Sequence, residues 1–202
     1  MKLLNVGCGG HRPQQEHWWN LDTLRDFLQE GTPERTNLDA EPRYIDCNLL
    51  HQSIPYRDEF FDGILIQHVL EHFTCHETTI VLGACRRVLR PGGLLVASVP
   101  DVGYFLSVYE QDKRERSVEL FGESISGDWQ DAQCEKFFDY ALFHREHKQV
   151  LNMEGLCALL LRSGFDRASV TPFDPPLENQ VASEIRQQLN RLKFSAILYA
   201  YK

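Results

Sequence analysis

The sequence predicts an α/β fold on a doubly wound, mainly parallel sheet, and three observations lead to it. Short apolar runs alternate along the chain with amphipathic stretches of helical periodicity. A glycine-rich turn, Gly7 to Gly10, follows the first apolar run. Acidic residues, Asp22 and Asp46, follow two later runs. Ligands of open parallel sheets bind at the carboxyl ends of the strands, so we expect these residues to line one crevice.

Length and composition indicate a single domain, residues 1–202. The chain is 43% hydrophobic and carries a net charge of −8 without a basic stripe, which argues against a nucleic-acid partner. No apolar run is long enough for a signal peptide or a transmembrane helix, so we expect a cytoplasmic protein with no membrane partner. The six cysteines form no CxxC pair and are expected to be reduced thiols.

The first half of the chain is predicted to supply four strands. Each is a short apolar run followed by polar or turn residues, and the third range includes the loop after its strand: 3–6, 18–22, 43–50 and 60–69. Residues 23–38 are predicted to form a helical turn or two and then a Gly/Pro loop.

The second half begins with a capping box, Thr74 and Glu77, which predicts a helix that ends at the RPGG turn, 90–93. A buried strand, 94–100, follows. Beyond the polar, aromatic-rich segment 101–150, the pattern predicts a helix and two strands, at 152–162, 168–173 and 194–202. The sheet would then have seven strands and be mixed at one edge.

The glycine loop lacks two common phosphate-binding patterns. The dinucleotide fingerprint needs a third glycine where this chain has Arg12, and the lysine of a P-loop is absent. Pro13 also interrupts the helix whose N-terminus would hold a pyrophosphate. The remaining interpretation is close backbone approach to a bulky, uncharged or cationic ligand. Carboxylates at the next strand ends would suit ribose hydroxyls and an adenine amino group.

Five segments resemble, in order and spacing, the class I S-adenosylmethionine-dependent methyltransferases: LLNVGCGG, WNLD, IDCNLL, SIPYRDEFFDGILIQHVLEHF and RRVLRPGGLLVASVPD. The likeness is greatest to small bacterial members with HVLEHF and RRVLRPGG motifs, which are often associated with cell-surface glycan pathways. It covers residues 3–101 well and the remainder weakly. It implies a Rossmann-like fold, S-adenosylmethionine as cofactor, and a helical or irregular lid, 101–150, over the acceptor site.

The resemblance also implies a set of cofactor-binding residues: Gly7, Cys8, Gly9, Asp22, Asp39, Asp46, Cys47, Asn48, Gln67 and His68. The glycines would lie under the methionine and ribose of the cofactor, and Cys8 is interpreted as packing. Asp22 would bind the ribose diol, with Asp39, the end of a second NLD, as the alternative. Residues 46–48 would contact adenine, and residues 67 and 68 would face the sulfonium.

The candidate catalytic residues are His68 and His147, with His144 as an alternative to His147. Glu71 or His72 could also offer a general base, although both suit the loop after the fourth strand equally well as structural residues. Methyl transfer is an in-line displacement that depends mainly on alignment, and a hydroxyl acceptor also needs a general base. Histidine titrates nearest neutral pH and suits that role.

A metal site is not expected. His68, His72 and His76 recur every four residues, which resembles a ligand face on one helix. The capping box at Thr74 predicts a break between the last two, so they would not share a helix.

The sequence favours a methyltransferase acting on a small-molecule or glycan-related acceptor. The alternative is a non-catalytic module that binds S-adenosylmethionine or a nucleoside. Loss of the loop glycines or of the strand-end aspartates would indicate such a module. A nucleotide-dependent oxidoreductase is disfavoured because Arg12 stands where the dinucleotide-binding fingerprint needs its third glycine. No oligomeric state is predicted.

Overall fold

The computed structural model describes residues 1–26, 28–110, 147–166, 171–172, 179–189 and 195–202. Its seven strands are β1 (Leu3–Val6), β2 (Trp18–Asp22), β3 (Tyr44–Asp46), β4 (Phe61–Gln67), β5 (Leu89–Pro100), β6 (Thr171–Pro172) and β7 (Ser195–Tyr201). They form one sheet in the order β3-β2-β1-β4-β5-β7-β6. Strand β7 is antiparallel to both of its neighbours, whereas the pairs from β3 to β5 are parallel. The mixed sheet edge predicted from the sequence is therefore confirmed.

Helices cover both faces of this sheet. They are α1 (Pro33–Asp39), α2 (Cys75–Val88), α3 (Val102–Glu110), α4 (Met153–Arg162) and α5 (Gln180–Gln188), with 3₁₀ turns at Leu24–Asp26 and Leu70–His72. Neighbouring residues of a strand point to opposite faces. Accordingly, Leu4 packs in a core cluster with α2 and α4, whereas Leu3 packs in a second cluster with α5. The doubly wound architecture is confirmed.

The RPGG segment differs from its prediction. Helix α2 starts at the predicted capping box, with both reciprocal hydrogen bonds, but it ends at Val88. Strand β5 then begins at Leu89, five residues before the predicted start at 94. The RPGG residues pair with the chain's last described residue, because Gly92 N donates to Lys202 O and Lys202 N donates to Gly93 O. Gly92 has a positive φ of 70°, which glycine adopts readily.

Two helices appear where none was predicted. Residues 33–38 are helical rather than a loop, because Thr32 caps α1 by accepting from Arg35 N at 3.3 Å and Pro33 occupies the first turn. Helix α5 is capped by Asn179, whose side chain accepts from Ala182 N at 3.2 Å. Both caps are ordinary sequence signals that the alternation of apolar runs did not reveal.

The predicted lid, 101–150, lies largely outside the described residues. Its first part forms α3 and its last part, 147–150, runs beside the loop after β4. His144 belongs to the portion that is not described. In the described ranges, no helix combines the length and the apolar character needed to cross a membrane.

Candidate cofactor-binding site

The turn after β1 needs glycine at two positions for different reasons. Gly7 has a φ of +65°, and a Cβ there would lie 2.9 Å from Val69 Cγ1 and closer still to Cγ2. The group that approaches Gly7 closely is thus a side chain of the same protein. Gly9 has a φ of +50°, but a Cβ there would meet nothing within 4 Å. Open space therefore adjoins Gly9, where a ligand can approach the backbone.

Asp22 ends β2 beside this turn, and its carboxylate is held by backbone amides. Gly9 N donates to Oδ2 at 2.7 Å, and Thr23 N donates to Oδ1 at 2.7 Å. The peptide oxygen of Asp22 accepts from Cys47 N at 3.0 Å, which ties the end of β2 to the end of β3. A carboxylate has about four acceptor positions, so each oxygen can accept one further hydrogen bond.

Asp39, the other candidate for the ribose, lies on α1 and is engaged by two arginines. Its carboxylate is 2.8 Å from Arg25 Nε and 3.1 Å from Arg35 Nε, and its side chain is 46% exposed. Asp46 pairs in register with Asp22 across β2 and β3, and its Oδ2 lies 4.0 Å from the Arg25 guanidinium. The structure therefore brings Asp22 and Asp46 side by side at the sheet edge, while Asp39 belongs to an arginine cluster.

The thiols near this edge are buried. Cys8 is 4% exposed, and burial, together with the negative charge of Asp22, raises the pKa of its thiol far above the usual range. Cys47 is also buried, which raises its thiol pKa, and its Sγ contacts Ser53 O at 3.7 Å. Asn48 accepts from Leu50 N at 3.1 Å and so shapes the turn after β3. The buried thiols are consistent with the interpretation of Cys8 as packing.

The carboxyl end of β4 presents Gln67 and His68. Gln67 Nε2 donates to Gln188 O at 3.2 Å, at the end of α5. His68 adopts a left-handed φ of +51°, which is uncommon outside glycine and is held here by a bond from its N–H to Ser98 O. Its Nε2 lies 2.8 Å from Ser195 Oγ, and its Nδ1 lies 3.4 Å from Glu71 Oε1.

Sequence reasoning did not identify Ser195 or Glu71 as partners of His68. Ser195 begins the last strand, 127 positions away, and no motif marks it. The contact between Glu71 and His68 could have been predicted from the sequence, because a carboxylate three residues after a histidine can reach its ring when the intervening residues form a turn. Here the turn is the 3₁₀ segment 70–72, which also places His72 next to His147, with ring centroids 4.9 Å apart.

The fold of the chain matches that of solved structures over its entire length. A methyltransferase from Methanosarcina mazei, described as S-adenosylmethionine-dependent, aligns with a TM-score of 0.57 at 16% identity, covering 100% of this chain and 92% of that one. A possible histamine N-methyltransferase from Thermotoga maritima aligns with a TM-score of 0.56 at 15% identity, covering 100% and 82%. Residues 4–97 match the family described as "Methyltransferase domain". The chain thus has the fold of S-adenosylmethionine-dependent methyltransferases, and just under half of it resembles the methyltransferase family model.

Curated relatives of this chain include the ubiquinone biosynthesis O-methyltransferase of Cereibacter sphaeroides. The two are 31% identical over 113 residues, which is 48% of this chain and 40% of the relative. The chain thus spans about two-fifths of the length of the curated relatives it matches. A third solved structure, the 1,6-didemethyltoxoflavin-N1-methyltransferase of Burkholderia thailandensis, aligns with a TM-score of 0.52 at 16% identity, covering 99% of this chain and 70% of that one. That structure contains 1,6-didemethyltoxoflavin and S-adenosylhomocysteine.

Proposed function

We propose that this protein is a methyltransferase that transfers the methyl group of S-adenosylmethionine to a small-molecule acceptor. The observation that carries the proposal is the joint arrangement of Gly9 and Asp22. A positive-φ glycine with open space beside it donates to a carboxylate that retains acceptor capacity. This combination suits a ligand that presents a diol next to the backbone, as the ribose of the cofactor does.

We assign the ribose diol to Asp22 rather than Asp39. Two backbone amides fix the Asp22 carboxylate at the strand end, so binding requires little reorganisation. Asp39 would have to leave the Arg25 and Arg35 guanidinium groups, or share them with the ligand. Asp46, adjacent to Asp22 in the register, is assigned to the adenine amino group.

The turn that follows Asp46 is assigned a supporting role at the adenine. The backbone groups of Cys47 and Asn48 would contact the edge of the adenine ring, because the two side chains are engaged elsewhere, with Ser53 O and Leu50 N. Gly7 and Cys8 would contribute the backbone path beneath the methionine portion. Both assignments follow from the resemblance and from the position of these turns at the sheet edge.

His68 is assigned to the sulfonium end and is the candidate general base. Its imidazole lies between Ser195 Oγ and the Glu71 carboxylate, and a carboxylate on one ring nitrogen orients the ring. Gln67, whose amide is directed to α5, would contribute through its backbone.

The small-molecule acceptor is supported by the relatives. One curated relative is named for ubiquinone biosynthesis, and one solved relative contains 1,6-didemethyltoxoflavin. The glycan-related acceptor suggested by the HVLEHF resemblance remains a prediction, as do the cytoplasmic location and the absence of nucleic-acid and membrane partners.

Calorimetric titration with S-adenosylhomocysteine, with NAD as the control ligand, tests the cofactor assignment. Micromolar binding of S-adenosylhomocysteine alone supports it, and methyl transfer can then be screened with catechol-like and sugar acceptors. Binding of S-adenosylhomocysteine without transfer to any acceptor would favour the non-catalytic module. Binding of NAD alone would refute the proposal.

A further inference from the structure

Three potential metal ligands meet beside the proposed site, on the loop after β4. One carboxylate oxygen of Glu71 and one ring nitrogen each of His72 and His147 lie within 4.8 Å of one another. Glu71 is buried and both histidines are half-buried. This set differs from the His68, His72 and His76 pattern of the sequence, because His76 lies on α2, beyond the capping box.

Hydrogen bonds position His147 at this cluster. The next residue, Lys148, donates its N–H to Glu71 O at 2.8 Å. Gln149 Nε2 donates to Leu70 O at 2.8 Å and to Thr78 Oγ1 at 2.7 Å. These bonds anchor segment 147–150 on the 3₁₀ turn and thereby hold the backbone that carries the His147 imidazole at the cluster.

The second observation is an unsatisfied carboxylate oxygen. The Glu71 side chain is 3% exposed, and its Oε2 accepts no hydrogen bond from any residue that the structure describes. Its Oε1 lies 3.4 Å from His68 Nδ1. Burying a carboxylate oxygen without a partner is costly, and a bound cation is one of the arrangements that compensates it.

We propose that Glu71, His72 and His147 bind a divalent transition-metal ion, with Zn²⁺ as the representative. Two imidazoles and one carboxylate are a ligand set of zinc sites that keep an open coordination position, whereas Mg²⁺ and Ca²⁺ prefer oxygen ligands. Zinc bonds to these groups are about 2.0–2.2 Å, so ligand atoms around one ion lie within about 4.4 Å of each other. The observed separations of up to 4.8 Å are slightly wider than that limit, so binding would require the side chains to rotate. His68, whose Nδ1 lies 3.4 Å from Glu71 Oε1, would be an orienting outer partner.

Such an ion would bind the methyl acceptor, and this part of the proposal rests on the proposed function. The cluster begins three residues after His68, which is assigned to the sulfonium end. An open coordination position there would take a hydroxyl oxygen of the acceptor and favour transfer of its proton to His68, the candidate general base, since a bound divalent ion lowers the pKa of a coordinated hydroxyl. The acceptor class is then one with a hydroxyl that can bind a metal.

Zinc binding by tag-free, chelator-treated full-length protein tests the site directly. We expect about one Zn²⁺ per chain by competition titration, with affinity lowered at least about tenfold in His147→Ala and in Glu71→Gln, which keeps the side-chain size. His76→Ala is the matched control, because His76 is exposed and lies outside the cluster. X-ray absorption of the wild-type zinc complex should show nitrogen and oxygen ligands only.

Wild-type protein without stoichiometric zinc, variants that bind zinc as the wild type does, or a sulfur ligand at the zinc would each overturn the site. Equal loss in His76→Ala would do the same. The absorption measurement needs no variant, so it decides the matter even where a substitution prevents folding. S-adenosylhomocysteine titration of the same preparations separates the two proposals: cofactor binding without zinc refutes only the metal site, and zinc binding without cofactor binding refutes only the proposed cofactor role.

Discussion

Replacing Asp22 by Asn turns one carboxylate oxygen into an amide N–H₂ group at the centre of the proposed ribose site. In the wild type the two oxygens accept from Gly9 N and Thr23 N, both at 2.7 Å. The Asn side chain can accept from only one of these donors, and its own N–H₂ then faces the other. It also loses one acceptor for a ribose hydroxyl, together with the negative charge.

The loss of one hydrogen bond to a charged group corresponds to about 1.5–3 kcal/mol. At about 1.4 kcal/mol per tenfold change, D22N should bind S-adenosylhomocysteine roughly 10- to 150-fold more weakly. Isothermal titration calorimetry measures this affinity, and thermal unfolding confirms that the variant is folded. D39N is the matched control, because its half-exposed ion pairs contribute only about 0–1 kcal/mol to stability. Its affinity should remain within about threefold of the wild type. A folded D22N with unchanged affinity and a tenfold loss in D39N would transfer the ribose role to Asp39 and refute the reasoning.

Three further predictions concern the fold. Gly7→Ala should destabilise the protein by about 2–5 kcal/mol in urea unfolding, from about 1–2 for the left-handed backbone and about 1–3 for overlap with Val69. Adding Val69→Ala should recover part of this loss, and purely additive effects would contradict the overlap. Folding lowers the pKa of Glu77, chiefly because its carboxylate accepts a hydrogen bond from the backbone N–H of the N-cap residue, Thr74. The ionised Glu77 side chain therefore stabilises the folded protein above about pH 4.3, the usual pKa of an unfolded glutamate, and this contribution is lost as the pH falls through the lower pKa of the folded state. The difference in urea midpoint between wild type and E77Q should accordingly shrink below that pH, and a difference that grows on acidification would contradict the direction. Burial raises the pKa of Cys85 to about 12, so a thiol reagent at pH 8 should label exposed Cys75 and spare Cys85 until unfolding, as peptide mapping would show; equal labelling rates would disprove the burial.

The strands were predictable because a sheet covered on both faces turns each strand into a short apolar run. The same logic placed Asp22 beside Asp46, since the carboxyl ends of parallel strands meet at one sheet edge, and the register confirms it. The helices were predictable only where a cap was recognised. The capping box at Thr74 and Glu77 located α2, whereas Pro33 was interpreted as a loop residue although proline favours the first turn of a helix.

The Glu71, His72 and His147 cluster could not have been predicted from spacing. It depends on bonds between distant parts of the chain, such as that from Gln149 to Leu70, which are 79 positions apart. The contact between His68 and Ser195 has the same origin. Helical or strand periodicity relates residues within one element, whereas these side chains lie in a turn, a loop and a strand end that only tertiary packing brings together.

The position of β7 has a consequence for biosynthesis. This strand follows all the others along the chain, yet it lies between β5 and β6. Until it is translated and inserted, β5 exposes an unpaired edge, and such edges recruit strands from other chains. The strands that carry the glycine turn and both strand-end carboxylates, β1 to β4, are complete by residue 67. In nascent chains arrested between residue 100 and residue 195, the strands that form the ligand crevice are therefore expected to be present already. The sheet of these chains is expected to remain prone to aggregation, because the edge of β5 is still unpaired.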